Sequence, residues 1–137
     1  MIVDSVVRDI FEAPEAHIAF AVNTEGINDS GFAGLVARRH WPELAYVGPM
    51  GLGETITKVG DGKTFHALVC HSLGPGGWGG ACQRITECLD ALDIPEDETV
   101  AIVQVGGGPV GKAMGANVGA IREGMERSVR RVVVYSQ

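Results

Sequence analysis

"VAIVQVGGGPVGKAMG", Val100 to Gly115, sets an apolar run directly against three consecutive glycines and a helix-like continuation. Each glycine loses more backbone freedom on folding than any other residue. Three in a row at a strand end therefore predict a sharp turn or a backbone that must come very close to something. The residues around this stretch decide between the two.

Other short segments read as strands because they are rich in β-branched and apolar residues: "IVDSVV" from Ile2, "HIAFAV" from His17, "ETITKV" from Glu54, "TFHALVC" from Thr64, "TVAIVQV" from Thr99 and "RRVVVYS" from Arg130. Three of them are almost continuously apolar, as expected of strands covered on both faces. Between them lie segments with helical spacing. Phe32, Leu35 and Val36 share one face of a helix predicted over Gly31–Trp41, with Arg38 and Arg39 where the helix dipole favours cations. Cys82, Ile85, Leu89 and Leu92 recur at three- and four-residue steps over Ala81–Leu92, and Val118, Ile121 and Met125 point inward from a helix predicted over Ala113–Arg127. "VGPMGLG" (Val47–Gly53) and "SLGPGGWGG" (Ser72–Gly80) are Gly/Pro loops, "ALDIPEDET" (Ala91–Thr99) is a solvated connection, and "DGK" (Asp61–Lys63) reads as a hairpin turn. The pattern predicts one α/β domain over residues 1–137, built in three layers.

Composition narrows the function classes. With 45% hydrophobic and 20% charged residues the chain has the make-up of a folded domain. A net charge of −6 argues against non-specific nucleic-acid binding, which needs a positive footprint. The basic clusters "ARRH" and "ERSVRR" are short and read as solvated helix ends. No apolar stretch approaches the roughly 20 residues that span a bilayer, and Met1 leads straight into a strand-like segment, so the expected location is the cytoplasm. Cys70, Cys82 and Cys88 are odd in number and form no C-x-x-C pair, which points to buried thiols. His17, His40, His66 and His71 have no metal-ligand spacing and read as surface or loop histidines; no metal and no cofactor is expected.

Two glycine-bearing turns each follow an apolar strand and open a helix: "NTEGINDSGFAG" (Asn23–Gly34) and "GGGPVGKAMG" (Gly106–Gly115). In an open α/β sheet such turns gather at the carboxyl ends of the strands, where ligands bind. Free N–H groups at a helix start favour an anion, usually phosphate. Neither turn follows the G-x-x-x-x-G-K-[ST] or G-x-G-x-x-G patterns, but as a pair they could hold a pyrophosphate from two sides.

The succession "RDIFEAP" (Arg8–Pro14), "IAFAVNTEGINDSGFAGLVARRH" (Ile18–His40), "GETITKVGDGK" (Gly53–Lys63), "VQVGGGPVGKAMGANVGAIREGM" (Val103–Met125) and the terminal "VVVYS" resembles a macrodomain. It is most similar to the compact branch of terminal ADP-ribose glycohydrolases, ADP-ribose-phosphate phosphatases and DNA ADP-ribose hydrolases. The resemblance implies a central mixed sheet of about six strands, with ADP-ribose or an ADP-ribosylated macromolecule as ligand. It implies that Asp9, beside Ile10, accepts a hydrogen bond from the adenine amino group, that Tyr135 lies near the adenine, and that Asn23 faces the distal ribose. Ser30, Gly31, Phe32 and Ala33 would wrap the diphosphate from one side, and Gly106, Gly107, Gly108, Pro109 and Val110 from the other.

Several positions depart from the family pattern. Arg8 replaces a glycine before Asp9, and Asp29 places a carboxylate in the first loop where it would repel a pyrophosphate unless turned outward. Lys58 stands on the strand that carries the catalytic lysine of the hydrolytic relatives, yet one residue early, and a one-residue shift changes face. Val110 occupies the place of their catalytic aspartate. Plainer roles compete: Asp9 as a turn residue, Asn23 as a loop former, Tyr135 as a strand residue, Lys58 as a solvent-facing side chain, and Trp78 as packing for its loop. Three functions follow as expectations: an ADP-ribose binder that also hydrolyses an ADP-ribosyl linkage, a catalytically inactive interaction module of the same fold, or a binder of another nucleotide signal derived from ADP-ribose.

Overall fold

A computed structural model describes residues 1–60 and 62–136. Six strands occur among them: β1 (Ile2–Val7), β2 (His17–Asn23), β3 (Thr55–Val59), β4 (Thr64–His71), β5 (Val100–Val103) and β6 (Val132–Ser136). They form one sheet in the order β1-β6-β5-β2-β4-β3. Every neighbouring pair is parallel except β3 with β4, which makes the sheet mixed. Asp61, within the predicted hairpin turn between β3 and β4, lies outside the described residues.

Alternation along β2 explains the layering. Ile18, Phe20 and Val22 enter one apolar cluster with Val36 and Ala37 of α1 (Gly31–Arg39), whereas Ala19 enters the other with Ile85 and Leu89 of α2 (Ala81–Asp90). Ile121 and Met125 of α4 (Val118–Arg127) join α2 on that second face. Gly124 lets the two helices touch, because a β-carbon there would land on the Cys82 carbonyl oxygen. The result is the three-layer α/β/α sandwich expected from the apolar runs. Among the described residues no helix is long and apolar enough to cross a membrane.

The predicted helix over Ala113–Arg127 is two helices. A short α3 (Pro109–Ala113) stops before Gly115, which adopts φ +89°, and α4 restarts where the Asn117 carbonyl Oδ1 accepts from the Ala120 N–H at 3.0 Å. Proline at the first position of α3 supplies a pre-set φ where its missing N–H is no loss. β5 ends at Val103 rather than Val105, and 3-10 helices form at Ile10–Glu12 and Pro42–Ala45. Cys70 and Cys88 are buried thiols, while Cys82 is half-buried.

Candidate functional site

β2 and β5 lie side by side and parallel, so both glycine-bearing loops leave from the same edge of the sheet. The helix after β2 packs on one face, and α4, reached from β5 through α3, packs on the other. In open α/β sheets, ligands bind where chains depart from adjacent strands to opposite faces, at the carboxyl ends of those strands.

The first loop is held by its own amides. Asn23 Nδ2 donates to the Ile27 carbonyl at 2.8 Å and Asn23 Oδ1 accepts the Ile27 N–H at 3.2 Å, with the side chain buried. Asn28 Nδ2 donates to the Leu44 carbonyl, and Ile27 forms an antiparallel bridge with Tyr46. Ser30 precedes α1 without a side-chain hydrogen bond to it. The opening N–H groups of Gly31, Phe32 and Ala33 thus have neither an intrahelical acceptor nor a capping hydroxyl. Asp29 is exposed, and its Oδ2 accepts from the Tyr46 hydroxyl at 2.8 Å. That bond, together with the Asp29 charge, raises the Tyr46 pKa.

In the second loop the three glycines differ. Gly106 adopts φ +77°, and a β-carbon on it would lie 2.9 Å from Ala116 Cβ and 3.0 Å from Ile121 Cδ1. Turn geometry and packing both require glycine there. Gly108 has ordinary φ and open space around its missing β-carbon, while Gly107 is tight only against Gln104. Gly108 also opens α3 without a side-chain cap. Pro109 and Val110 follow as the first residues of α3, and Val110 is 63% exposed.

Asp9 caps the 3-10 helix by accepting the Phe11 N–H at 3.0 Å with one oxygen, the other having no hydrogen bond among the described residues, and the neighbouring Ile10 is buried. Phe11 stacks on Phe32 with ring centroids 5.3 Å apart, tying the Asp9 turn to the start of α1. In the sequence the only mark of Phe11 is an aromatic two residues after Asp9. Tyr135 is 3% exposed and donates its hydroxyl to Glu15 Oε1 at 2.8 Å. Burial foremost, then that carboxylate, pushes its pKa up to about 12.

Lys58 is not brought to these loops. It pairs with Phe65, six residues before the end of β4 and roughly 20 Å along the strand from the carboxyl rim. His71, the last residue of β4, does lie at the rim, in register with Asn23 and stacked on Trp78 at 3.9 Å and 10°.

Full-length structural likeness accompanies this geometry. The macrodomain of Mycobacterium tuberculosis DarG superposes with a TM-score of 0.70 at 16% identity, covering 100% of this chain and 98% of that one. The macrodomain protein of Streptomyces coelicolor gives 0.68 at 20% identity, with 100% and 99% covered.

This chain has the macrodomain fold.

The Trypanosoma brucei macrodomain, solved in complex with ADP-ribose, matches with a TM-score of 0.63 at 15% identity, over 97% of this chain and 63% of its own. No family model and no curated protein matches the sequence. The macrodomain resemblance read from the loops thus agrees with the macrodomain architecture of the whole chain.

Proposed function

We propose that this macrodomain-fold protein binds ADP-ribose or a close derivative across the carboxyl ends of β2 and β5. The observation that carries the reading is the divergence of the chain to opposite faces after two adjacent parallel strands, with no side-chain cap on α1 or α3. The diphosphate fits between Ser30–Ala33 and Gly106–Val110. Asp9 offers its second carboxylate oxygen to the adenine amino group, close to the Phe11 and Phe32 rings. Asn23 serves the site by shaping the first loop. The outward hydrogen bond from Tyr46 to Asp29 moderates the repulsion that carboxylate would exert.

Hydrolysis draws no support from Lys58, which is remote, or from Val110, which can neither donate nor accept a proton. Binding is therefore the primary activity. An interaction module that has lost its nucleotide is the second reading, favoured by the exposed apolar Val110 in the first turn of α3.

Calorimetric titration with ADP-ribose, with AMP and ADP as controls, tests the proposal on the wild type, Asp9→Ala and Gly108→Val. Gly108→Val fills open space without a backbone clash, so it should fold and lose the ligand. Selective binding weakened by both changes is the expected result. Absence of heat and of ligand-induced thermal stabilisation in the wild type would favour the interaction module.

A further inference from the structure

A third loop, Ser72–Gly80, touches both of the loops assigned to the diphosphate. The Thr24 N–H donates to the His71 carbonyl at 3.0 Å and the Leu73 N–H donates to Glu25 Oε1 at 3.0 Å, which fastens this loop to the first. Trp78 Cζ3 lies 3.7 Å from where a Gly106 β-carbon would stand, which places the indole against the second. The loop is closed on itself: the Ser72 N–H donates to the Gly77 carbonyl at 3.0 Å, and a β-carbon on Gly77 would land on the Ser72 carbonyl oxygen. His71 stacks almost flat on the indole and fixes its plane. Burial lowers the His71 pKa, which favours the uncharged ring.

We propose that Trp78, braced by His71, is a positioning residue for the ligand: it sets the separation of the two glycine-bearing loops by supporting the Gly106 turn. This rests on the ADP-ribose reading above. A support of this kind acts through shape, so another flat ring should replace the indole and a methyl group should not. Ligand seated on the Gly106 turn should also alter the surroundings of the indole.

The test uses a Trp41→Phe background, in which Trp78 is the remaining tryptophan. ADP-ribose affinity is measured by calorimetry for that protein and for Trp78→Ala, Trp78→Phe and His71→Ala made in it, alongside thermal unfolding of each and the emission of Trp78 at ligand saturation. Expected are an affinity loss of about tenfold in Trp78→Ala, its recovery in Trp78→Phe, an intermediate loss in His71→Ala, and a shift in Trp78 emission on binding. A background protein that binds while Trp78→Ala binds equally well, or while Trp78 emission stays fixed, overturns this proposal alone. A background protein that folds and does not bind overturns the ADP-ribose reading and this one with it.

Discussion

Asn23 grips Ile27 with both ends of its amide, donating from Nδ2 to the carbonyl and accepting from the N–H at Oδ1. One side chain at the end of β2 thereby fixes the four residues that follow it, and the α1 start is aimed by that closure.

Replacing Asn23 by alanine removes both hydrogen bonds to Ile27, which is itself exposed and can turn to water, so the loss should be about 1 kcal/mol. Asn23→Asp should not rescue it, because the carboxylate keeps an acceptor but faces the Ile27 carbonyl with no donor. Chemical denaturation of both variants checks this, and equal stability of Asn23→Asp and wild type would refute the two-ended grip.

A second polar device lies at the opposite end of the sheet. Thr57 Oγ1 is 3.0 Å from His66 Nδ1, His66 Nε2 is 2.9 Å from His17 Nδ1, and His17 Nε2 is 2.6 Å from Glu98 Oε2. With both rings neutral the chain runs one way: hydroxyl to His66, His66 to His17, His17 to carboxylate. Burial, then the neighbouring His17 and Arg130, pushes the His66 pKa down to about 4 from an ordinary 6.5. A depressed histidine pKa means that the unfolded chain takes up the proton first as pH falls. Stability from His66 is accordingly full above pH 6.5 and declines as pH drops toward about 4. Melting temperature recorded across that interval should fall in the wild type and fall less steeply in His66→Phe.

How much of this was legible beforehand follows from range in sequence. The strand segments and the inward faces of α2 and α4 were readable because alternation and three- or four-residue spacing are local patterns. The break at Gly115 leaves no local signal in the apolar spacing, because Val118, Ile121 and Met125 keep helical spacing whether or not the helix continues toward Ala113. Sequence alone reads His17 and His66 as surface or loop histidines. Their partnership depends on β2 and β4 being neighbours, across 49 residues that no local pattern spans. The glycine-bearing loops were found as composition. That Gly106 is required by packing while Gly108 faces open space depends on Ala116 and Ile121 folding back beneath the turn.

Tyr135 supplies a test at high pH. Its pKa, about 12, lies above the ordinary tyrosine value of 10, so the folded protein holds the phenolic proton more tightly than the unfolded chain does. The resulting stability is complete below pH 10 and is lost as pH rises toward about 12. Ultraviolet titration should show a phenol that ionises only near about 12 or with unfolding, and Tyr135→Phe should remove that transition while leaving the one from exposed Tyr46. Ionisation of both rings together, well below unfolding, would contradict the Glu15 hydrogen bond.

Arg130 closes the end of α2 from a distance. Its Nη2 donates to the Leu92 carbonyl at 2.8 Å, Nη1 to the Ile94 and Pro95 carbonyls at 3.1 Å each, and Nε to the Leu89 carbonyl at 3.4 Å. Arg130 is 5% exposed, and its charge is stabilised by carbonyl dipoles at the α2 C-terminus and in the connection after it, where a cation is favoured. Arg130→Met would keep much of the volume but leave these acceptors without their donor, and should destabilise the fold by on the order of 3 kcal/mol. Arg130→Lys retains the charge, yet one ammonium nitrogen cannot occupy three donor positions of a planar fork, so it should recover only part of the loss. Denaturant melts of the two variants separate the possibilities: full recovery by lysine would mean that charge at the helix end matters and the fork does not.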